Sequence, residues 1–389
     1  MGLPSWLATC VNFFTGKASD NEVSVTEVPL APSVPAETLI QQDLSVAISP
    51  IDQPKIFDSE LPLPIWFQGE IPTELLRLAR AHYEEPVHRQ ILADWVERYG
   101  GEEGRLLCRF FRRDEVLRHD ASTWQTLSAF EARLVAAFSD LVLGIGDRVE
   151  LPLTETQNIT MGWVPPGESW LGGGIDEEGT TAFTLEQGLW CGIYPVTQEQ
   201  WQAVMGNNPS YFSGNPKNPV EQVSWDDVQV FLQKLNAVSS RNGFLYRLPS
   251  ADEWEYILRG GPISKNQSQY DFYFARSMTE LTAVASCYSL SSTKANFDGN
   301  CPAGAGEKGP FLKATSAVGN YLPNPLGMYD MHGNVLEWTS TESGSGRVGC
   351  GGGCYNRWAL CTASFRNSFV PDFRAEGLGF RLLAVPVGE

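Results

Sequence analysis

Eight cysteines and four histidines are the side chains of this 389-residue chain best suited to metal or redox chemistry. Cys350, Cys354 and Cys361 lie close together, yet no Cys-x-x-Cys pair or neighbouring His completes the four ligands of a zinc site. His82, His88, His119 and His332 are nowhere three or four apart, so no helix face carries two of them. No Ser-His-Asp set, phosphate loop or dinucleotide fingerprint is evident. A different chemistry is concentrated from Cys354 to Arg374, where Tyr355, Trp358, Phe365, Phe369 and Phe373 make 5 aromatics in 21 residues, about twice the chain's 11%. Leu360 and Val370 add to them. No period of 2 or 3.6 accounts for all seven, so one buried face cannot absorb them. Rings in a loop flanked by Arg357 and Arg374 have the composition of a binding hot spot, and the sequence predicts that some of them face solvent.

The elements that must hold this segment differ along the chain. Residues 1–60 carry two lysines against eight carboxylates and a Pro-spaced run from Pro29 to Pro35, which reads as an acidic disordered arm or linker. Residues 61–150 turn helical in period and read as a small accessory domain. Apolar residues recur three and four apart over Thr73–Ala81 and His88–Tyr99, a third helix is expected over 103–118, and a fourth is expected from Ser122-Thr-Trp-Gln125 to Gly144. From 151 to 389 short strands and Gly/Pro loops surround three helices opened by one device. Thr197-x-x-Gln200, Ser224-x-x-Asp227 and Ser250-x-x-Glu253 each offer a hydroxyl at the N-cap and a reciprocating side chain three residues on. No long helix is expected after 260, and Leu378–Ala384 reads as a single buried closing strand.

Several stretches, in order, resemble the formylglycine-generating-enzyme (sulfatase-modifying factor) domain family. They are Met161-Gly-Trp-Val-Pro-Pro-Gly167, Tyr194-Pro-Val-Thr-Gln-Glu-Gln-Trp201, Pro219–Asp227, Tyr246-Arg-Leu-Pro-Ser-Ala-Asp-Glu-Trp-Glu-Tyr256, Asn324–Thr339, Pro371-Asp372 and Gly379-Phe-Arg381. The resemblance implies an α+β fold with a C-type lectin-like domain over 151–389, preceded by the small helical domain. Ile91–Gly100 also resembles a short helical module of multidomain proteins, which implies an adaptor partner for the N-terminal region.

The family's oxidases hold copper through two cysteines five positions apart, after a glycine turn. Here the turn is Gly351-Gly-Gly353 and Cys361 takes the second position, but Asn356 takes the first. A carboxamide does not replace a thiolate for a soft ion, and Cys354 is two residues too early. No copper is expected. Iron is not expected either, because its relatives need three histidines. The resemblance implies structural calcium on Asn334 and Glu337, with a second site at Asn296; hydrogen bonding that fixes the turn explains Asn334 and Glu337 equally well.

Between the framework positions of 350–381, ordinary family members carry mostly polar residues, whereas this chain carries Tyr355, Arg357, Trp358, Leu360, Phe369, Val370 and Phe373. A kept framework with unusual fillings is most similar to the variable proteins of diversity-generating retroelements. That implies a non-catalytic binding protein, which would recognise a protein ligand through Tyr355, Asn356, Arg357, Trp358, Leu360, Phe365, Phe369, Val370, Phe373 and Arg374. The rivals are a copper oxidase built on Cys361 and a fixed homo-oligomer contact made by the same rings. A net charge of −18 argues against nucleic acid. No apolar run is long enough to span a membrane. Trp6 stands where a myristoylation signal needs Ser or Thr, and the start lacks a basic leader, so the expectation is a cytoplasmic protein with its cysteines as thiols.

Overall fold

The computed structural model describes residues 86–99, 101–112, 126–128, 131–132, 135, 143–239, 244–274 and 288–386. The acidic arm, the expected helix at Thr73–Ala81, His82 and His119 lie outside them. Helices α1 (Pro86–Tyr99) and α2 (Gly101–Phe111) form in the region of helical period. They bury Leu92, Ala93 and Val96 on one and Leu107, Phe110 and Phe111 on the other. A Cβ at Gly104 would stand 2.3 Å from the Val96 carbonyl oxygen, so only glycine permits this helix approach.

The expected fourth helix over 122–144 is not helical at residues 126–127, and residues 122–125 lie outside the described residues. Thr126–Leu127 is strand β1, parallel to the start of β2 (Arg148–Pro152). The capping box belongs to Ser128 and Glu131: the Ser128 N–H donates to the Glu131 carboxylate at 2.9 Å, and the Glu131 N–H donates to Ser128 Oγ at 3.3 Å. The sequence signature seen at Ser122 recurs six residues on, where it forms a box directly after the strand, at Ser128.

Beyond β2 come β3 (Asn158–Val164), β4 (Gly167–Leu171), β5 (Thr181–Leu185) and β6 (Leu189–Gly192). Trp163 of β3 lies opposite Trp190 of β6, with ring centroids 5.2 Å apart, a cross-strand pair that fixes register. Helices α3 (Gln198–Met205), α4 (Trp225–Ser239) and α5 (Ala251–Arg259) follow, with β7 (Phe244–Arg247) before α5. The three capping boxes form as the sequence predicts, at Thr197, Ser224 and Ser250. After α5 the described residues hold only single 3₁₀ turns and the strands β8 (Leu336–Ser343), β9 (Gly346–Cys350), β10 (Arg366–Phe369), β11 (Leu378–Phe380) and β12 (Leu383–Pro386).

The strands make three sheets: six strands in the order β1-β2-β3-β6-β12-β7, four in the order β10-β9-β8-β11, and the hairpin β4-β5. The expected single closing strand is therefore two. β11 lies parallel to β8 in one sheet, and β12 lies between β6 and β7 in the other. Arg381 sits at the crossing, fully buried, and so is Glu337 of β8. The Arg381 guanidinium meets both Glu337 oxygens at 2.7 Å and donates to the carbonyls of Gly192 and Tyr329 at 2.9 Å each. Trp254 of α5 adds an indole N–H at 2.7 Å to the same carboxylate. One ion pair thus ties together both large sheets and a helix.

Removing one member leaves the other charge buried and alone. Arg381→Leu should lower the unfolding free energy by about 3–5 kcal/mol in urea titration, and adding Glu337→Gln should recover part of that loss. Matching denaturation midpoints for wild type and Arg381→Leu would contradict this account.

Candidate functional site

The C-terminal segment leaves β9 through Gly351 and Gly352, both at positive φ (95° and 68°). A Cβ on Gly352 would meet the Leu360 carbonyl oxygen at 2.6 Å and Cys361 Sγ at 2.7 Å, so the strand can turn this tightly only here. A turn at Cys354–Asn356 follows, then a 3₁₀ turn over Trp358–Leu360, then β10 returning antiparallel to β9.

The segment is less open than its composition suggests. Phe369 is 4% exposed, edge-on to Trp338 at 6.0 Å and stacked on Phe373 at 5.1 Å. Asn356 is 2% exposed. Its Oδ1 accepts the Gly353 N–H at 2.7 Å and its carbonyl accepts the Asp298 N–H at 2.9 Å. These two are framework, not surface, because a tight turn and a sheet face consume them. Trp358 is half-buried against the cluster of Phe272, Phe274, Leu290, Ala295, Phe297, Ala303 and Cys361. Tyr355, Leu360, Phe365 and Phe373 are also half-buried, while Arg357, Val370 and Arg374 are exposed. Arg374 is committed to the N-terminus of α4, with two hydrogen bonds to Asp227 at 2.8 and 2.9 Å.

Tyr355 has company that lies far away in sequence. Phe212 approaches it at 6.1 Å and Phe311 at 6.4 Å, while Tyr211, 63% exposed, stands edge-on to Phe212 at 5.0 Å. Behind them Glu221 is fully buried. Its Oε1 accepts the Phe212 N–H at 2.8 Å and its Oε2 has no partner. Burial pushes this carboxyl up to about 7, and the nearby Glu376 adds to the effect. Neither Glu221 nor the Tyr211-Phe212 pair was legible as part of a site. The available hint was a charged residue in Pro219-Val-Glu-Gln-Val, set between two valines that become core.

The thiols of this segment are all withdrawn from solvent. Cys350, Cys354 and Cys361 are buried, and burial raises each above the ordinary thiol range. Cys361 Sγ donates to the Arg357 carbonyl at 3.8 Å. Among the described residues, no group of three or more His, Cys, Asp or Glu converges as a metal site, and no helix is long and apolar enough to cross a membrane.

Asn334 and Glu337, which the resemblance assigns to calcium, are both engaged by protein groups in this geometry. Both Glu337 oxygens face the Arg381 guanidinium, which would oppose a cation. Asn334 Oδ1 already accepts from Ser316 N–H at 3.0 Å and from Asn296 Nδ2 at 3.1 Å, while Asn334 itself sits at φ 65° and fixes the turn. Of the three, Asn296 alone keeps a buried oxygen without a partner, Oδ1.

His332 is buried and structural. It accepts the Tyr273 N–H at Nε2 (3.1 Å), so Nδ1 carries the proton and donates to the Cys361 carbonyl at 2.7 Å. Burial holds this imidazole down to about 4. It lines a small cavity with Tyr273, Phe274, Lys294, Tyr321 and Asp330. Asp330 Oδ1 has no partner, Oδ2 accepts the Gly319 N–H at 2.7 Å, and burial pushes the carboxyl up to about 6.

Residues 149–385 match the sulfatase-modifying factor enzyme 1-like domain. Over 231 residues the chain is 30% identical to the chaperone protein LppX of Paenibacillus barcinonensis, covering 49% of this chain and 76% of that one. It is 27% identical over 212 residues to the formylglycine-generating enzyme of Mus musculus, covering 49% of this chain and spanning half the length of the mouse protein. Among solved structures, Treponema denticola variable protein 1 superposes with a TM-score of 0.47 at 24% identity, covering 61% of this chain and 98% of the other.

The two cavity residues titrate with opposite signs. Asp330 binds its proton more tightly folded than unfolded, so its contribution is fullest below the ordinary Asp range and is lost as pH rises through about 6. His332 behaves inversely, its contribution being full above about 6.5 and lost as pH falls through about 4. Asp330→Asn should therefore raise the unfolding free energy from urea titration at pH 7.5, by on the order of 1–3 kcal/mol, and raise it by only about a third as much at pH 4.5. An equal gain at both pH values would show that ionisation of Asp330 is not the cause.

Proposed function

The chain belongs to the sulfatase-modifying factor enzyme 1-like domain family, and we propose that this member recognises a protein ligand with its C-terminal face instead of oxidising a cysteine. The observation that carries the proposal is the state of Asn356. At the first thiolate position that the family resemblance assigns to copper, this chain has a carboxamide locked into the Gly353 turn. The remaining thiol, Cys361, is buried and held protonated by its surroundings. A thiol that stays neutral is a poor ligand for Cu(I) and a poor nucleophile.

What the segment does offer is contact area on a rigid frame. Arg357, Val370 and the accessible edges of Tyr355, Trp358, Leu360, Phe365 and Phe373 occupy loops braced by β9, β10 and α4. Half-buried rings lose little further freedom when a ligand covers them, which favours affinity. The variable-protein pattern of kept framework and unusual fillings supports a face tuned for recognition. In this reading structural calcium falls to Asn296, whose free oxygen suits a hard cation, and not to Glu337. The helical region of α1 and α2 would serve an adaptor partner, and the protein would work in the cytoplasm.

Two measurements test the proposal. Wild type should take up no stoichiometric Cu(I) in competition with a chelator, whereas Asn356→Cys should gain about one equivalent by pairing with Cys361; uptake by wild type would restore the oxidase reading. A phage-displayed library of protein fragments, selected on wild type and counter-selected on Trp358→Ser/Val370→Ser, should yield binders at least tenfold weaker for the double variant. Failure to enrich any such binder would remove the recognition reading.

A further inference from the structure

The hairpin of β4 and β5 ends in a second, smaller turn. Gly174 and Glu177 exchange two backbone hydrogen bonds, at 2.9 and 3.0 Å, which close a two-residue loop over Ile175 and Asp176. Both loop residues are left-handed, with φ of 55° and 64°. Such loops favour Asn and Gly, because a side chain crowds the backbone there. A β-branched residue at positive φ is an outlier, and its strain persists only where the surroundings over-determine the conformation. Here they do. The Gly172 N–H donates to Glu255 at 2.7 Å, the Gly173 carbonyl accepts from Arg259 at 3.0 Å, and the Gly179 N–H donates to Ser268 Oγ at 2.7 Å. The Ile175 N–H donates to Asp271 Oδ2 at 3.3 Å.

This strain secures no packing inside the protein. Ile175 is 72% exposed, more than any other large apolar side chain among the described residues. Asp271 ties the tip to the C-terminal segment. Its carbonyl accepts the Ala363 N–H at 3.0 Å, and a Cβ on Gly174 would stand 2.6 Å from Asp271 Oδ1 and 3.7 Å from Ser364 Oγ. Ile175 thus stands at the margin of the face that carries Phe365. Three exposed carboxylates follow it, Asp176, Glu177 and Glu178. Asp176 hydrogen-bonds with the Tyr288 hydroxyl, and Lys265 approaches Glu178 at 3.8 Å.

We propose that Ile175 is a preset knob with which this face engages its protein ligand, and that the ligand answers with an apolar socket edged by lysine or arginine. The inference rests on the reading of the C-terminal face as a recognition site and adds a second element and a partner chemistry to it. A side chain held proud by its backbone enters a socket without an ordering cost. The carboxylates beside it favour a basic rim and oppose an acidic one.

The test compares Ile175→Asn, which suits φ near 55° and removes the apolar group, with Ile175→Leu, which keeps that group. Ile175→Asn should shift the urea midpoint upward, since it relieves strain and gives up no burial. Its affinity for displayed fragments selected through Trp358 and Val370 should fall at least tenfold, while Ile175→Leu stays within about threefold of wild type. Asp176→Asn/Glu177→Gln should weaken the same fragments and flatten their salt dependence. Unchanged affinity in Ile175→Asn would overturn the knob; so would a loss of affinity accompanied by a lower urea midpoint, which marks a merely structural residue. A second arm needs no selected fragment. In the full chain with isotope-labelled isoleucine methyl groups, an ammonium-rimmed resorcinarene cavitand, an apolar cup with a cationic edge, should move the Ile175 signal more than that of Ile91. The carboxylate-rimmed cup should move neither, and equal effects of the two cups would overturn the partner chemistry. Fragments that enrich yet ignore Ile175→Asn leave the recognition reading standing without the knob. A cup that seats Ile175 when no fragment enriches removes that reading and leaves the knob.

Discussion

Everything described here hangs on one buried ion pair, Glu337 with Arg381. Desolvating two full charges is expensive, and the pair is tolerable only because nearly every donor and acceptor is used. Arg381 reaches two carboxylate oxygens and two carbonyls; Glu337 gains an indole N–H as well. The geometry can be satisfied in one way, with β8 and β11 in one sheet, β6 and β12 in the other, and α5 against both. An apolar pair of the same volume would give the core comparable burial without dictating which strand crosses where. The charge therefore fixes topology, and the C-terminal segment inherits its anchor points from it. β9 and β10 pair on one side of that segment, β11 closes the other, and its residues are loops between fixed posts.

This constraint also explains what could be read from the sequence. Capping boxes are local, and those at Thr197, Ser224 and Ser250 open helices where their spacing says. The expected fourth helix is interrupted where Thr126 and Leu127 pair with β2, a partner about twenty residues away that no local pattern announces, and a capping box forms just after it at Ser128. Leu378–Ala384 reads as one strand because all its positions are buried. Only the placement of Arg381 between two sheets shows that the run must change partners. The resemblance points Glu337 toward calcium, and its ion-pair partner in the fold, Arg381, lies 44 residues downstream where no local pattern announces it.

The site was legible in composition and not in depth. Periodicity correctly implies that the rings of 354–374 cannot share one face, but it cannot rank them. Phe369 falls on the sheet side of β10, meets Trp338 and disappears, whereas Val370, its neighbour, alternates outward. Trp358 divides itself between the cluster around Phe297 and solvent. Phe212 and Phe311 were invisible as partners of Tyr355 because their only connection is through space.

Half-burial changes the energetics that such a face can deliver. A fully exposed ring gains most of its area on binding but must first be ordered, while a fully buried one has nothing left to give. Rings held at their inner edge by Cys361, Phe297 or Phe369 already have fixed rotamers, so the remaining exposed edge is presented without that ordering cost. Substitution at such positions would alter the outer edge of the face while the glycine turn, the Asn356 clasp and the buried ion pair keep the backbone in place. The separation of a rigid interior from an adjustable rim is what lets one scaffold carry different recognition chemistries.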